Sequence, residues 1–362
     1  MYEKELSVLK KAGRFREREI YPSYLVDLAS NDYLGLSEKK SVFKKACKNV
    51  SKYPYHASKA SMLVNGYHPA HKEFENYISY LNGFEKAIVA GSGFLANMAL
   101  IEALGRRGDL LVLDEKFHAS GILSSKLSLA NVVFFKHNDA FDLNRILRSH
   151  DYKRAIVAVE GIYSMDGDIL NKDIFDVTDR KDTVLIVDEA HSVGVLGDRL
   201  LGVFEHFDIK PSKNHIKMGT LGKALGSYGA YILCSAEIEE FLLNRSKSLI
   251  YATALSPFDI ALAHEGMKYI QKNHKKLREK RDRNRRLFKK YLNIDMDGLI
   301  AIVEIGSSER VMELKRYFLK KGFIIGAIRP PTVDRAILRI IPRLNIKKDI
   351  LKEFLDLLKR KI

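Results

Sequence analysis

The sequence is poor in cysteine, with only Cys47 and Cys234 among its 362 residues. Two cysteines predict neither a disulfide framework nor a structural zinc site. No apolar run reaches the roughly 18 residues that a membrane-spanning helix needs. The first residues, Met1 to Glu5, lack the apolar stretch of a secretory signal. These absences predict a cytoplasmic protein without a metal centre and without a membrane partner.

Acidic residues are also in deficit: 45 Asp and Glu stand against 61 Lys and Arg, a formal net charge of +16. The lysines are scattered, as at Lys39–Lys40 and Lys275–Lys276, which is typical of solvated helix faces. Attraction of a polyanionic substrate is the alternative interpretation of this charge. The length suggests about two domains, and 46% hydrophobic residues are typical of a globular protein.

The most informative stretch begins with an apolar run, Val184–Val187, that ends at Asp188. Bulky residues without alternation predict a buried parallel strand, which delivers the carboxylate to its C-terminal end, where ligands bind in open α/β sheets. Downstream, the segment Gly219–Gly226 places Lys223 among glycines. Glycines let the backbone approach a ligand, and a confined lysine can lose its proton and act as a nucleophile.

Two chemistries use an acidic element with a downstream Gly-Lys. Nucleotide hydrolysis would require a phosphate loop of the form G-x-x-x-x-G-K-[ST]. Here Lys223 is followed by Ala224, only two residues separate Gly219 from Gly222, and the lysine follows the acidic element. An ATPase and a nucleic-acid partner are therefore disfavoured. The second chemistry is pyridoxal phosphate catalysis, in which a lysine binds the cofactor and an aspartate pairs with its pyridinium nitrogen.

The motifs Asp188–Gly194 and Gly219–Lys223 resemble the paired signatures of the α-oxoamine synthases, and Ser30–Leu36 matches the N-terminal motif of that family. These pyridoxal phosphate enzymes join an amino acid to an acyl-CoA with loss of carbon dioxide. The resemblance implies a fold-type-I α/β architecture: a large domain with a mostly parallel seven-stranded sheet, and a smaller C-terminal α+β domain. We predict an N-terminal arm at 1–36, the cofactor domain at 37–262 and the small domain at 263–362.

The resemblance also implies roles for residues around the cofactor ring. Lys223 would carry the cofactor and later remove the α-proton of the substrate, and Asp188 would keep the ring nitrogen protonated. His191 would bind the phenolic oxygen of the cofactor. His118 would stack on the ring and assist proton transfer, and Ser164 corresponds to a serine of the site.

The phosphate side is predicted at the strand Ala87–Ala90, which runs into small residues and a helix start, a typical anion cradle. Gly93 and Phe94 are its candidates, and the family adds the hydroxyl of Thr220. Thr253 corresponds to a threonine that reaches the phosphate of the partner subunit, which implies a homodimer.

Three positions concern the substrates. Arg339 corresponds to an arginine that holds a substrate carboxylate, a role suited to a planar fork. Arg18 corresponds to an arginine near the acyl substrate. Thr332 lies in Gly326–Val333, which closely resembles the branch of the family that condenses L-alanine with a pimeloyl thioester in biotin biosynthesis, carried by coenzyme A or by a carrier protein. The segment Ala57–Ser61 departs from a glycine-rich segment of many relatives, and side chains there disfavour backbone with φ > 0.

Other functions stay open at this point. A sibling synthase would use glycine or serine with another acyl-CoA, as glycine C-acetyltransferase does, and it shares most of these motifs. An aminotransferase would release a keto acid and need no thioester. A non-catalytic binding module would not need Lys223.

Overall fold

The computed structural model describes residues 1–362 and contains two β-sheets. The strands are β1 (Val26–Leu28), β2 (Lys86–Ala90), β3 (Leu110–Asp114), β4 (Asn131–Phe135), β5 (Ala155–Glu160), β6 (Thr183–Asp188), β7 (His215–Thr220), β8 (Ala230–Cys234), β9 (Ala301–Gly306), β10 (Phe323–Ile328) and β11 (Ala336–Ile340). The α-helices are α1 (Glu3–Lys11), α2 (Lys40–Val50), α3 (Pro69–Asn82), α4 (Gly93–Leu104), α5 (Ala119–Ser125), α6 (Ala140–Ser149), α7 (Asp173–Thr178), α8 (Val203–His206), α9 (Ala236–Arg245), α10 (Lys247–Ile250), α11 (Pro257–Leu292), α12 (Ser308–Lys320) and α13 (Lys348–Lys359).

The larger sheet has seven strands in the order β2-β8-β7-β6-β5-β3-β4. Strand β8 runs antiparallel to both of its neighbours, and the other pairs are parallel. The predicted fold-type-I architecture with a mostly parallel seven-stranded sheet is therefore confirmed.

Strand β6 is central because both of its faces are covered. Leu185 and Val187 belong to one apolar cluster, and Ile186 belongs to a second cluster on the opposite face. Successive side chains of a strand point to opposite faces, so burial on both sides requires an unbroken apolar run. The run ends at Asp188, which lies beside Glu160 of β5 in the parallel register. The sheet thus places two acidic side chains next to each other at the C-terminal ends of its central strands.

The smaller sheet has the order β1-β10-β11-β9, in which β1 pairs with β10 in parallel and the remaining pairs are antiparallel. A separate apolar cluster, which includes Phe318 and Phe354 of α12 and α13, covers this sheet. Strand β1 comes from the predicted N-terminal arm, and α11 runs across the predicted boundary at 262/263. The domain boundaries stay a prediction. No helix combines the length and the apolar character needed to span a membrane.

Candidate active site

Lys223 lies on the loop after β7, and its Nζ is 2.7 Å from Nε2 of His191. Burial lowers the pKa of Lys223 to about 8, although the nearby carboxyl groups of Asp188 and Glu160 act in the opposite direction. An amine with this pKa is partly neutral near physiological pH, and a neutral amine is both a nucleophile and a base.

Asp188 is buried at the end of β6, and each of its oxygens accepts a hydrogen bond. Oδ2 accepts from Asn97 Nδ2 at 2.8 Å, and Oδ1 accepts from the Ala190 amide at 2.9 Å. Asn97 Nδ2 also lies 2.9 Å from the hydroxyl of Ser120, which lies 2.7 Å from Nδ1 of His118. The structure therefore links two predicted site residues, Asp188 and His118, through Asn97 and Ser120, which were not among the sequence-predicted residues.

Glu160, also missed by the sequence analysis, ends β5 beside Asp188 and is only 2% exposed. Burial, reinforced by the negative charge of Asp188, raises the pKa of Glu160 well above its ordinary value. Its Oε1 has no hydrogen-bond partner. The environment of Glu160 therefore favours its protonated form.

The two predicted histidines are both neutral in this setting. His191 is buried, and burial together with the positive charges of Lys223 and Arg339 lowers its pKa well below the ordinary value. Burial also lowers the pKa of His118; Asp188 opposes this and Lys223 reinforces it. His118 caps α5 by accepting from the Ser120 amide, and it lines a cavity of about 530 Å³ that Ser164 and Thr332 also line.

The predicted phosphate side lies at the N-terminus of α4. Ser92 caps this helix by accepting from the Leu95 amide, and the first-turn N–H groups of Gly93 and Phe94 have no acceptor within the helix. Gly93 and Thr220 line a cavity of about 1310 Å³ together with Lys223. The Thr220 hydroxyl donates to the Gly229 carbonyl at 3.1 Å, so its O–H must rotate away from that carbonyl to donate to a phosphate oxygen.

Arg339 lies on β11 with only 6% of its surface exposed. Its Nε donates to the Ser164 carbonyl at 2.7 Å, and its Nη1 donates to Oδ1 of Asn31 at 3.0 Å. The buried Nη2 has no partner. A guanidinium held on two nitrogens with a free third nitrogen is ready for a carboxylate. Asn31 is a further residue that the sequence analysis quoted only as part of a motif.

The loop that carries Ser164 is held in place by His137. Its Nδ1 lies 3.0 Å from Asp114, and its Nε2 lies 3.1 Å from Asp168 at the end of that loop. Burial lowers the pKa of His137, but the hydrogen bonds to Asp114 and Asp168 outweigh this effect and raise it to about 9. His137 is therefore cationic at neutral pH and joins the ends of two strands to the Ser164 loop.

Two predicted site residues lie away from this cluster. Arg18 is exposed and lines none of the cavities described here. Arg14, Arg16 and Arg329 surround a pocket of about 160 Å³ that Thr332 also lines. Thr253 is exposed as well. Both assignments stay predictions.

The divergent segment at 57–61 is fixed to the stretch that carries Thr253. Ser58 Oγ donates to the Leu255 carbonyl at 2.6 Å, and the Ala60 carbonyl accepts from the Ala254 amide at 3.0 Å. Lys59 adopts φ 67°, although it is not a glycine. The loop therefore contains a left-handed residue at a position that lysine occupies.

The residues present fit pyridoxal phosphate. A lysine with a lowered pKa, a hydrogen-bonded aspartate and a helix N-terminus lie around one site, which is the donor set that this cofactor requires. In addition, four of the buried polar atoms that lack partners belong to this region: Ser30 Oγ, Asn97 Oδ1, Glu160 Oε1 and Arg339 Nη2. Such atoms mark a place where a polar ligand completes the hydrogen bonding.

Comparison with known proteins agrees with this geometry. The family described as aminotransferase class I and II matches residues 23–358. An 8-amino-7-oxononanoate synthase of Helicobacter pylori (strain ATCC 700392 / 26695) is 41% identical over 360 residues, which cover 99% of this chain and 96% of that protein. A putative 8-amino-7-oxononanoate synthase of Methanocaldococcus jannaschii is 34% identical, with 99% and 96% coverage.

Two solved structures share the fold. A serine palmitoyltransferase of S. paucimobilis with bound PLP superposes with a TM-score of 0.90 at 24% identity, covering 99% of this chain and 96% of that one. The 8-amino-7-oxononanoate synthase of Francisella tularensis gives a TM-score of 0.77 at 27% identity, covering 94% and 98%.

The chain belongs to the class I and II aminotransferase family of pyridoxal phosphate enzymes. Within that family, its similarity over nearly the whole length to 8-amino-7-oxononanoate synthases confirms the predicted resemblance to the α-oxoamine synthases. The protein is thus a PLP-dependent enzyme of the acyltransferase type, which acts on an amino acid and an acyl substrate.

Proposed function

We propose that this enzyme condenses L-alanine with a pimeloyl thioester, with loss of carbon dioxide, to form 8-amino-7-oxononanoate in biotin biosynthesis. The similarity to synthases of that name over nearly the whole length supports the choice of reaction. The arrangement of Lys223, Asp188 and Arg339 around one site is the structural observation that carries the proposal. When bound, pyridoxal phosphate supplies an electron-withdrawing ring that stabilises a carbanion at the α-carbon of the amino acid.

The protein residues divide the remaining work. Lys223 holds the cofactor and then removes the α-proton, which its pKa of about 8 permits near neutral pH. Asp188, fixed by Asn97 and the Ala190 amide, places a carboxylate where the ring nitrogen needs a partner. The free Nη2 of Arg339 binds the carboxylate of the amino acid.

His118, His191, Ser164, Gly93, Phe94 and Thr220 complete the proposed cofactor site. His118 and Ser164 line the cavity of about 530 Å³, and Gly93 and Thr220 line the cavity of about 1310 Å³. His191 presents a ring nitrogen to the position of Lys223 Nζ. We assign the amides of Gly93 and Phe94 and the hydroxyl of Thr220 to the phosphate group.

The acyl substrate enters, in this proposal, where Thr332 joins two cavities. One of them contains His118, and the other is lined by Arg14, Arg16 and Arg329 and by no carboxylate. Three guanidinium groups in a pocket whose lining contains no carboxylate attract an anionic end of the substrate. We propose that this cluster, with Arg18 further along the same arm, receives a distal carboxylate or a phosphate of the thioester carrier.

We further propose that the enzyme works as a homodimer in the cytoplasm. Within one chain Thr253 is exposed, and so are the large apolar side chains Phe94, Tyr228 and Tyr251. A partner subunit that covers this surface would bring its own Thr253 to the phosphate side. Light scattering of the purified protein tests the dimer. Thr253→Ala should weaken cofactor binding while the protein remains dimeric.

The reaction itself is tested with the purified holoenzyme. L-alanine and pimeloyl-CoA should yield free thiol, carbon dioxide and 8-amino-7-oxononanoate, identified by mass spectrometry. Lys223→Ala should lose both turnover and the visible absorption of the bound cofactor. Product from glycine or serine with another acyl-CoA, but not from this pair, would assign the enzyme to a sibling activity. A keto acid formed without thiol release would identify an aminotransferase.

A further inference from the structure

Tyr33 lies behind His191, on the opposite side of the ring from Lys223. Its side chain is 0% exposed, and its hydroxyl oxygen lies 2.5 Å from Nδ1 of His191. The other ring nitrogen, Nε2, lies 2.7 Å from Nζ of Lys223. These three side chains therefore form one line of hydrogen bonds that ends at the proposed cofactor-binding amine.

The protons along this line are coupled, because a neutral imidazole carries hydrogen on only one nitrogen. If Tyr33 donates to Nδ1, then Nε2 carries the proton and donates to Lys223, which must be a neutral amine to accept it. If Lys223 is an ammonium group, it has no lone pair. Nε2 must then accept, Nδ1–H must donate to the Tyr33 oxygen, and the Tyr33 proton needs another acceptor.

The surroundings of Tyr33 favour the first arrangement. The other acceptor near its hydroxyl is Oδ1 of Asn31 at 3.5 Å, which already accepts from Arg339 at 3.0 Å. A distance of 3.5 Å is too long for a good O–H···O bond. A charged Lys223 would therefore leave the Tyr33 proton poorly paired in a buried place, which is costly.

Neither Tyr33 nor His191 changes its charge at neutral pH, so the two proton positions stay coupled. Burial raises the pKa of Tyr33 to about 12, so its hydroxyl keeps its proton at neutral pH. Burial and nearby positive charge lower the pKa of His191 well below its ordinary value, so its ring does not become a cation.

We propose that Tyr33 is a positioning residue that holds His191 as the Nε2–H tautomer and thereby favours the neutral amine of Lys223. Tyr33 acts through His191, and this inference rests on the role proposed for Lys223. The same tautomer presents an N–H donor toward the cofactor, in agreement with the bond to the phenolic oxygen that the family resemblance implies for His191.

Other charged groups also face this line and must be constant in any test. Asp188 and Glu160 raise the pKa of Lys223, while Arg339 lowers it; His118 and His191 also lie close to the amine. Arg339 and Glu160 are the charged groups that face the Tyr33 hydroxyl. Tyr33→Phe removes one hydroxyl and none of these charges, so a change in the titration of Lys223 would report on that hydroxyl.

The test is the pH dependence of Lys223 labelling by acetic anhydride in the full-length protein freed of cofactor, quantified on the Lys223 peptide by mass spectrometry. In Tyr33→Phe, the labelling midpoint should rise by about one pH unit, a roughly tenfold smaller neutral fraction below the midpoint, as expected for losing one hydrogen bond. Tyr231→Phe is the matched control, because Tyr231 is also 0% exposed but its hydroxyl has no partner. Its midpoint should equal that of the wild type.

A second measurement keeps the proposal falsifiable if Tyr33→Phe folds poorly. Replacing Tyr33 with 3-fluorotyrosine retains the shape and makes the hydroxyl a stronger donor, so the midpoint should move downward. In the holoenzyme, the pH midpoint of the visible band should move with Tyr33 variants and stay fixed in Tyr231→Phe. Unchanged midpoints for both Tyr33 variants would overturn the proposal. The labelling needs neither substrate nor cofactor, so this failure is distinct from a failure of the proposed reaction.

Discussion

Arg339→Lys tests the substrate side of the site most directly. The guanidinium is held by the Ser164 carbonyl and by Asn31, and its buried Nη2 is left for a ligand. Lysine keeps the positive charge but loses the planar fork. Hydrogen bonds to charged groups contribute about 1.5–3 kcal/mol, and each 1.36 kcal/mol corresponds to a factor of ten. We therefore expect kcat/KM for L-alanine to fall about 10- to 150-fold.

The assay follows thiol release from pimeloyl-CoA at saturating thioester while L-alanine is varied. The loss should lie mainly in KM for L-alanine, and KM for the thioester should change little. Arg343→Lys is the control, because Arg343 is also a buried arginine but pairs with Asp32 at 2.7 Å and Glu38 at 2.6 Å. It should lower thermal stability and leave the KM for L-alanine near the wild-type value. A wild-type KM for L-alanine in Arg339→Lys would refute the assignment.

Three further predictions follow from the site. First, kcat should rise with pH up to about 8 and then level. Lys223 must be neutral to accept a proton, and with a pKa of about 8 its ammonium form dominates below that pH. A flat profile from pH 6 to 9 would contradict this. Second, His137→Gln should cost roughly 1–2 kcal/mol of unfolding free energy at pH 6 after allowance for solvent screening. The folded pKa of His137 is raised to about 9, so its contribution is complete below the ordinary value of 6.5 and is lost as pH rises toward 9, which denaturant titrations at pH 6 and 9.5 would show. Third, Arg16→Ala should raise KM for pimeloyl-CoA several-fold, and measuring Arg18→Ala beside it decides which arginine of the arm meets the acyl substrate.

Much of the fold follows from local sequence because the central strands are buried on both faces. The apolar run before Asp188 indicates a parallel strand without any knowledge of its neighbours, and the structure has that strand as β6. The C-terminal helix α13 shows the limit of this approach. The spacing of Ile346, Ile350, Phe354 and Leu357 predicts its core face, but among these only Phe354 is fully buried, because the face in contact with the small sheet is centred on the neighbouring leucines of α13.

The missed residues share a different property: their roles depend on partners far away in the chain. Asn97 meets Asp188 across 91 positions, and Tyr33 meets His191 across 158. In the local sequence they are a helix asparagine and a motif tyrosine, and both are compatible with simple packing. Only the assembled sheet and the loops at its edge show that these side chains hold the predicted catalytic groups.

The pair Glu160 and Asp188 shows why the structure is needed to assign charge. Both acids end apolar strands, so the strand pattern alone gives no reason to prefer either as the ionised group. The parallel register sets them side by side, and burial together with the negative charge of Asp188 disfavours ionisation of Glu160. Asp188 receives donors on both oxygens, whereas Glu160 has an oxygen without any partner. The hydrogen-bond donors therefore stabilise negative charge on Asp188, while burial raises the pKa of Glu160 well above its ordinary value. The better stabilised carboxylate lies at the position where the family resemblance requires a partner for the ring nitrogen.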